Sequence, residues 1–163
     1  MNPTRVIGYT RVSTDRQAEQ GCSLEAQEEK IREYAKVYDL EVVEVITDAG
    51  ASAKTLDRLG LQRALAMLKR GEADALVVTK LDRLTRRVVN LGELVEKYFV
   101  SGRWALMSVG EQIDTRSAGG RLVLNVLVSV AQWEREAIGE RTSTALLVDQ
   151  SSGFLGVGSP KQT

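Results

Sequence analysis

The 163-residue sequence has no histidine. That removes the Ser-His-Asp triad, in which an imidazole must take the serine proton. It has one cysteine, Cys22, so an internal disulfide framework is excluded and a reducing compartment fits. A lone thiol with no activating neighbour in sequence reads as a small structural residue. With one cysteine and no imidazole, most zinc sites are excluded too. Charge of one sign is also missing, because 22 basic residues balance 22 acidic ones. No global field draws this chain to nucleic acid, so any anion-binding surface must be local. No stretch approaches the length of a membrane span and no signal peptide is visible. A cytoplasmic protein is expected, and the length suits one domain with a small appendage.

What is present alternates between two periods. A strand covers roughly residues 4–12, with Val6, Gly8, Thr10 and Val12 on one face and Ile7, Tyr9, Arg11 and Ser13 on the other. A helix is predicted near 23–39, where Leu24, Ile31, Tyr34, Ala35 and Tyr38 recur at spacings near three and four. EVVEVITD reads as a strand that ends at AGAS. LGLQRALAMLKRG reads as a helix with Gly71 just beyond it. DALVVTK is a short apolar run, as a strand covered on both sides should be. A helix through about Val100 and the strand RWALMSV follow. This β-α order predicts an α/β fold: a mainly parallel central sheet with helices on both faces. In such sheets the site lies at the C-terminal ends of the strands. Ser13, Asp48 and Thr79 to Asp82 all fall at that edge.

The last third differs. RLVLNVLVSVAQWEREAI, residues 121–138, is apolar at nearly every position of its first half. A helix apolar all round must be buried all round, and one small domain covers only one face. A partner chain is expected on the other; a pair of central core strands is the alternative. From Ser143 the pattern fades into a loop-like tail. The divisions expected are a catalytic domain over 1–117, a long oligomerisation helix over 118–148, and a disordered tail over 149–163.

Two polar clusters bear on chemistry. KLDRLTRR, residues 80–87, places Asp82 and Arg86 four apart if helical. Alone, it is equally a solvated helix face with one ion pair. It follows an apolar strand at the edge that holds Ser13, however, and arginine matches phosphate oxygens through planar, bidentate donors. Arg11, Arg83 and Arg86 beside Ser13 would form a phosphate pocket with a hydroxyl nucleophile. AQWEREAIGERT, residues 131–142, is by itself compatible with plain surface decoration. A nucleotide-binding doubly wound domain is disfavoured, because no Gly-rich phosphate loop follows the first strand.

YTRVSTDRQ, SLEAQ, TDAGASA, LDRLGLQ, KLDRLTR, GGRLVLNVL and AQWEREAIGERT occur in the order and spacing of the serine recombinase catalytic domain. The chain resembles that resolvase and invertase superfamily over residues 5 to about 142. The elongated GCSLEAQEEKIREYAK is more similar to the large serine integrases and transposases than to small resolvases. The resemblance implies a site-specific recombinase of a mobile element, acting in DNA recombination or integration. Ser13 would attack a phosphodiester to give a 5′-phosphoserine and a free 3′-hydroxyl. Arg11, Arg83 and Arg86 would hold the phosphate, and Asp82 would be the proton donor to the leaving oxygen. Tyr9, Gln27, Ser52, Arg58 and Arg141 match supporting positions. Neither cofactor nor metal is implied. The expected partners are double-stranded DNA and further copies of the chain, a dimer and then a tetramer in the synaptic complex. The family's arm beyond the long helix is usually basic, whereas residues 142–160 contain no Lys or Arg. That departure, and the absence of a separate DNA-binding domain, suggest an isolated catalytic domain or a truncated chain. The alternative function is a non-catalytic protein that dimerises with a full-length recombinase.

Overall fold

The computed structural model describes residues 2–13, 23–52 and 54–153, the last three in their backbone only. Cys22 and the tail beyond Gly153 lie outside the described residues. Strand β1 (Thr4–Val12) is followed by helix α1 (Leu24–Val37), β2 (Leu40–Ala49), α2 (Leu59–Lys69), β3 (Ala75–Val78), α3 (Val88–Tyr98), β4 (Ala105–Ser108), β5 (Ile113–Asp114) and α4 (Ala118–Gly153). The sheet order is β2-β1-β3-β4-β5. β1 pairs in parallel with both β2 and β3, β4 pairs in parallel with β3, and only β5 runs antiparallel. The two-residue β5 carries too little pattern to be seen in the sequence.

Alternation along β1 and β3 divides the core into two layers. Ile7, Tyr9, Leu76, Val78 and Leu106 face α2, α3 and the inner side of α4. Val6, Ala75, Val77 and Met107 face the other way, onto Ile31 of α1. Every residue of β3 is buried, which explains its unbroken apolar sequence. α1 starts at Ser23, whose hydroxyl accepts from the Ala26 amide at 3.1 Å and satisfies one of the helix's unpaired donors.

The stretch expected to be one helix up to Val100 is broken. Leu81–Arg83 forms a single 3-10 turn, and α3 begins only at Val88. The cause is competition for carbonyls. Those of Asp82, Arg83 and Leu84 accept from the guanidinium groups of Arg11 and Arg58, so an α-helical ladder is not built there. The pairing of Asp82 with Arg86 across a helical turn does not form; Asp82 pairs with its neighbour Arg83.

α4 has 36 residues, about 54 Å at 1.5 Å per residue. It runs past position 148, where the sequence pattern had suggested a tail. The hydroxyls of Thr142, Ser143 and Thr144 each donate to the carbonyl four residues back at 3.0 Å, so they turn onto the helix's own backbone without interrupting it. Its first half packs on α3 so closely that a methyl group on Gly92 would overlap the Ala131 side chain. Leu124 and Ala131 are buried there, while Leu122, Val123, Val126, Val130 and Trp133 are exposed. Among the described residues no helix is long and apolar enough to cross a membrane.

Candidate active site

β1 carries Tyr9 and Arg11 to the C-terminal edge of the sheet on one face and ends one residue before Ser13. Ser13 is half-buried and forms no side-chain hydrogen bond to the described residues. The loop after β2 is tied to this end by the Gly50 amide, which donates to the Val12 carbonyl at 2.8 Å. Gln27 of α1 clamps the opposite side. Its side-chain oxygen accepts from the Arg11 amide at 3.2 Å, and its nitrogen donates to the Arg11 carbonyl at 3.1 Å. A buried amide that satisfies both groups of one residue fixes the strand end just where the chain turns toward the nucleophile.

Three buried arginines form the centre. Arg11, 1% exposed, donates from Nε to the Arg83 carbonyl at 3.0 Å, from Nη1 to the Ala51 carbonyl at 2.9 Å and from Nη2 to the Asp82 carbonyl at 3.1 Å. Arg83 returns a bond from Nη1 to the Arg11 carbonyl at 2.9 Å and pairs through Nε with Asp82 Oδ1 at 3.0 Å. Arg58 donates from Nη1 to the Tyr9 hydroxyl at 2.9 Å and to the Arg83 carbonyl at 3.0 Å, and from Nη2 to the Leu84 carbonyl. Its Nε is buried with no hydrogen-bond partner among the described residues. The Tyr9 hydroxyl in turn donates to Asp48 Oδ2 at 2.7 Å. The result is a woven set in which arginines hold a non-helical turn and the turn's carbonyls hold the arginines.

The electrostatics follow from this crowding. Burial, then the charges of Arg83, Arg58 and Arg86, push the Arg11 guanidinium down to about 10. Burial also lowers Arg58. The Tyr9 phenol is raised, first by burial and then by its bond to Asp48, so it stays neutral. Burial acts to raise Asp82, but the hydrogen bond and charge of Arg83, with Lys80 and Arg86, hold its carboxyl below the ordinary range. Asp82 is therefore a carboxylate at neutral pH, a proton acceptor in this state. Arg86 is exposed and makes no ion pair or hydrogen bond among the described residues, which leaves its planar donors open to a ligand.

The structure thus brings Tyr9, Arg11, Ser13, Gln27, Arg58, Asp82, Arg83 and Arg86 to one edge. Ser52 is in the adjoining loop, exposed, where its hydroxyl accepts from the Lys54 amide at 3.1 Å; the carbonyl of Ala51, not Ser52, touches Arg11. Arg141 is on the exposed outer half of α4 and is not part of this cluster. The sequence reading placed Asp48 at the edge but gave it no task. Asp48 accepts from Tyr9 and from the Gly60 and Leu61 amides at 2.8 and 3.0 Å. It joins the first turn of α2 to the arginine cluster, and a side chain on Gly60 would collide with it.

Comparison with known proteins gives concordant results. The family described as "Resolvase, N terminal domain" matches residues 6–153. The chain is 38% identical to a DNA-invertase of Escherichia phage P1, over 96% of this chain and 76% of that protein. It is 35% identical to the serine recombinase Gin of Escherichia phage Mu, over 97% and 74%. Among solved structures, the N-terminal catalytic domain of TP901-1 integrase superposes with a TM-score of 0.75 at 38% identity, over 82% of this chain and 98% of that one. A resolvase family site-specific recombinase from Streptococcus pneumoniae gives 0.74 at 30%, over 91% and 99%.

Proposed function

The chain belongs to the resolvase N-terminal domain family, and with that as premise we propose that Ser13 is the nucleophile of a DNA-cleaving site organised by Arg11, Arg83 and Arg86. The family's members are serine recombinases that catalyse DNA strand exchange, and this chain has the fold of their catalytic domain. The proposal concerns how these residues divide the work.

Ser13 Oγ attacks the phosphorus of a backbone phosphodiester. The bond from phosphorus to the 3′ oxygen breaks, a 5′-phosphoserine ester forms, and the 3′ oxygen leaves to become a hydroxyl. One proton leaves Ser13 and one reaches the 3′ oxygen. Because the ester conserves the phosphodiester bond energy, attack by a 3′-hydroxyl on the phosphoserine rejoins the strand without ATP. Arg86, exposed and without a partner among the described residues, and Arg83, near it, would clamp the phosphate oxygens. Arg11 works from behind: its donors serve carbonyls, and its buried charge adds to the positive field that the transition state meets. Asp82 exchanges the proton of the leaving oxygen, and as a carboxylate it must gain a proton before it can donate one. Gln27, Tyr9 and Arg58 hold the strand end and the turn. The DNA partner would be a double-stranded recombination site, and the exposed apolar side of α4 would pair with a second copy.

The observation that carries this reading is the cluster itself: Arg11, Arg58 and Arg83, buried and bonded to backbone carbonyls at the strand end that leads to Ser13. A site in which four arginines outweigh the nearby carboxylates is built for an anion. The experiment is a denaturing gel that detects protein covalently attached to a cognate recombination site. The wild type should form the adduct and Ser13→Ala should form none. An adduct that persists in Ser13→Ala would place the nucleophile elsewhere.

A further inference from the structure

The β4–β5 loop bears on the turn that carries Asp82 and Arg83. Val109 and Gly110 at the end of β4 are pinned to the end of β3, their amides donating to the carbonyls of Val78 and Thr79 at 3.0 and 2.8 Å. The loop then folds back sharply at Gln112, whose φ of 54° is in the left-handed region. Between these fixed points is Glu111. Both of its carboxylate oxygens lie 3.3 Å from the Leu81 amide, the first donor of the 3-10 turn. Oε2 also accepts from the hydroxyl of Ser108, a residue with no exposed surface.

We infer that Glu111 is a positioning residue for strand cleavage, holding the turn Leu81–Arg83 in the register that engages Arg11. The first amides of any such turn lack partners within it, and a carboxylate aimed at them supplies the missing acceptor. The consequence passes along three residues. If the Leu81 amide is held, the carbonyls of Asp82 and Arg83 stay directed at Arg11 Nη2 and Nε. Arg83 Nη1 then stays on the Arg11 carbonyl, two residues before Ser13. Glu111 touches none of these groups itself. It acts on them through the backbone of the turn, and Ser108 fixes the rotamer from which it does so.

This rests on the reading of Arg11, Asp82 and Arg83 as the cleavage cluster, so the test separates the two. The first arm is spectroscopic and needs no DNA: nitrogen-15 NMR of the arginine Nε–H groups in the whole chain, with thermal unfolding of each variant alongside. Glu111→Ala should shift the Arg11 Nε–H signal and speed its exchange with water. Glu111→Gln, which keeps an oxygen to accept from Leu81, should retain most of the wild-type signal. The second arm is adduct formation on a cognate site. Glu111 is an exposed residue, so Glu111→Ala should lower the rate about threefold to tenfold, the worth of one ordinary hydrogen bond, with Glu111→Gln recovering most of it. Ser108→Ala serves as a milder probe if Glu111→Ala fails to fold, and should move the same signal by a smaller amount. Unchanged Arg11 signals in Glu111→Ala, or in Ser108→Ala where that is the folded variant, would overturn the inference. So would equal losses in the Ala and Gln variants. A wild type that forms no adduct while the signals behave as stated would instead count against the cleavage reading alone.

Discussion

Replacing Asp48 with Ala should destabilise the domain more than any exposed carboxylate at the same sheet edge. Three donors lose their acceptor at once: the Tyr9 hydroxyl and the Gly60 and Leu61 amides. Loss of a side-chain cap on a helix costs about 1 kcal/mol, with a range of roughly 0.5–2. The Tyr9 hydroxyl still accepts from Arg58, but its proton loses its acceptor, which adds about 1–3 kcal/mol, and Tyr9 has no exposed surface through which water could replace Asp48. The sum is about 2–4 kcal/mol, or a fall in Tm of about 5–15 °C for a domain of this size. Tyr9→Phe should cost less, about 0.5–1.5 kcal/mol, because Arg58 Nη1 keeps the Arg83 carbonyl and Asp48 keeps both amides. In the double variant no hydroxyl remains to be stranded. Urea unfolding of the four proteins, compared at constant m, should therefore show the double variant more stable than the two single losses imply, by about 1 kcal/mol or more. Strict additivity would mean that the 2.7 Å bond between Tyr9 and Asp48 carries no energy, and the chain of contacts from α2 to the arginine cluster would have to be abandoned.

Arg86→Lys should fold normally, since the side chain is exposed, yet cleave a cognate site on the order of a hundredfold more slowly, because one ammonium does not reproduce a planar pair of donors; a near-normal single-turnover rate would remove Arg86 from the phosphate clamp. Adduct formation should persist after chelation of divalent metal, since guanidinium groups supply the positive charge that two-metal nucleases take from their ions, and a strict requirement for magnesium in the chemical step would refute that division of labour. Val126→Glu, at a position 53% exposed in the single chain, should leave the unfolding midpoint of dilute protein unchanged and shift sedimentation toward monomer; a variant that still associates like the wild type would clear this face of α4 of any role in pairing.

The strands and their edge were legible because period two and unbroken apolar runs are local signals. The same reading put Ser13, Asp48 and Asp82 at one end of the sheet before any side-chain contact was known. The break at residues 81–87 was not legible. Its cause is Arg58 and Arg11, 25 and 72 residues away in sequence from the Arg83 carbonyl they share, and no window around KLDRLTRR contains them. Helical spacing therefore suggested Asp82 with Arg86, while the folded chain pairs Asp82 with Arg83. The far end of α4 failed for a different reason. The helix expected to stop at 148 runs to Gly153, through Ser151, Ser152 and Gly153, residue types that rank low as helix formers.

The buried arginines explain why the turn, the strand end and the proposed chemistry belong together. A guanidinium removed from water needs acceptors, and carboxylates would supply them at the cost of neutralising the site. Here the acceptors are backbone carbonyls of Ala51, Asp82, Arg83 and Leu84, which satisfy the donors and leave the charge in place. These carbonyls close a 3-10 turn and are not drawn into a helical ladder, so they are available to the guanidinium groups. Burial, with the neighbouring charges of Arg83 and Arg58, lowers Arg11 to about 10. Its charged form is disfavoured in the resting protein, a cost present at neutral pH and relieved only as pH rises through that value. A phosphodiester in the site would act in the opposite sense and draw the Arg11 value back up. The attraction would grow as negative charge accumulates on the phosphate oxygens during attack, because the arginines are already fixed and need not reorganise. On this argument Arg11 contributes through its charge while its hydrogen bonds stay on the turn, a role that the exposed Arg86 cannot share.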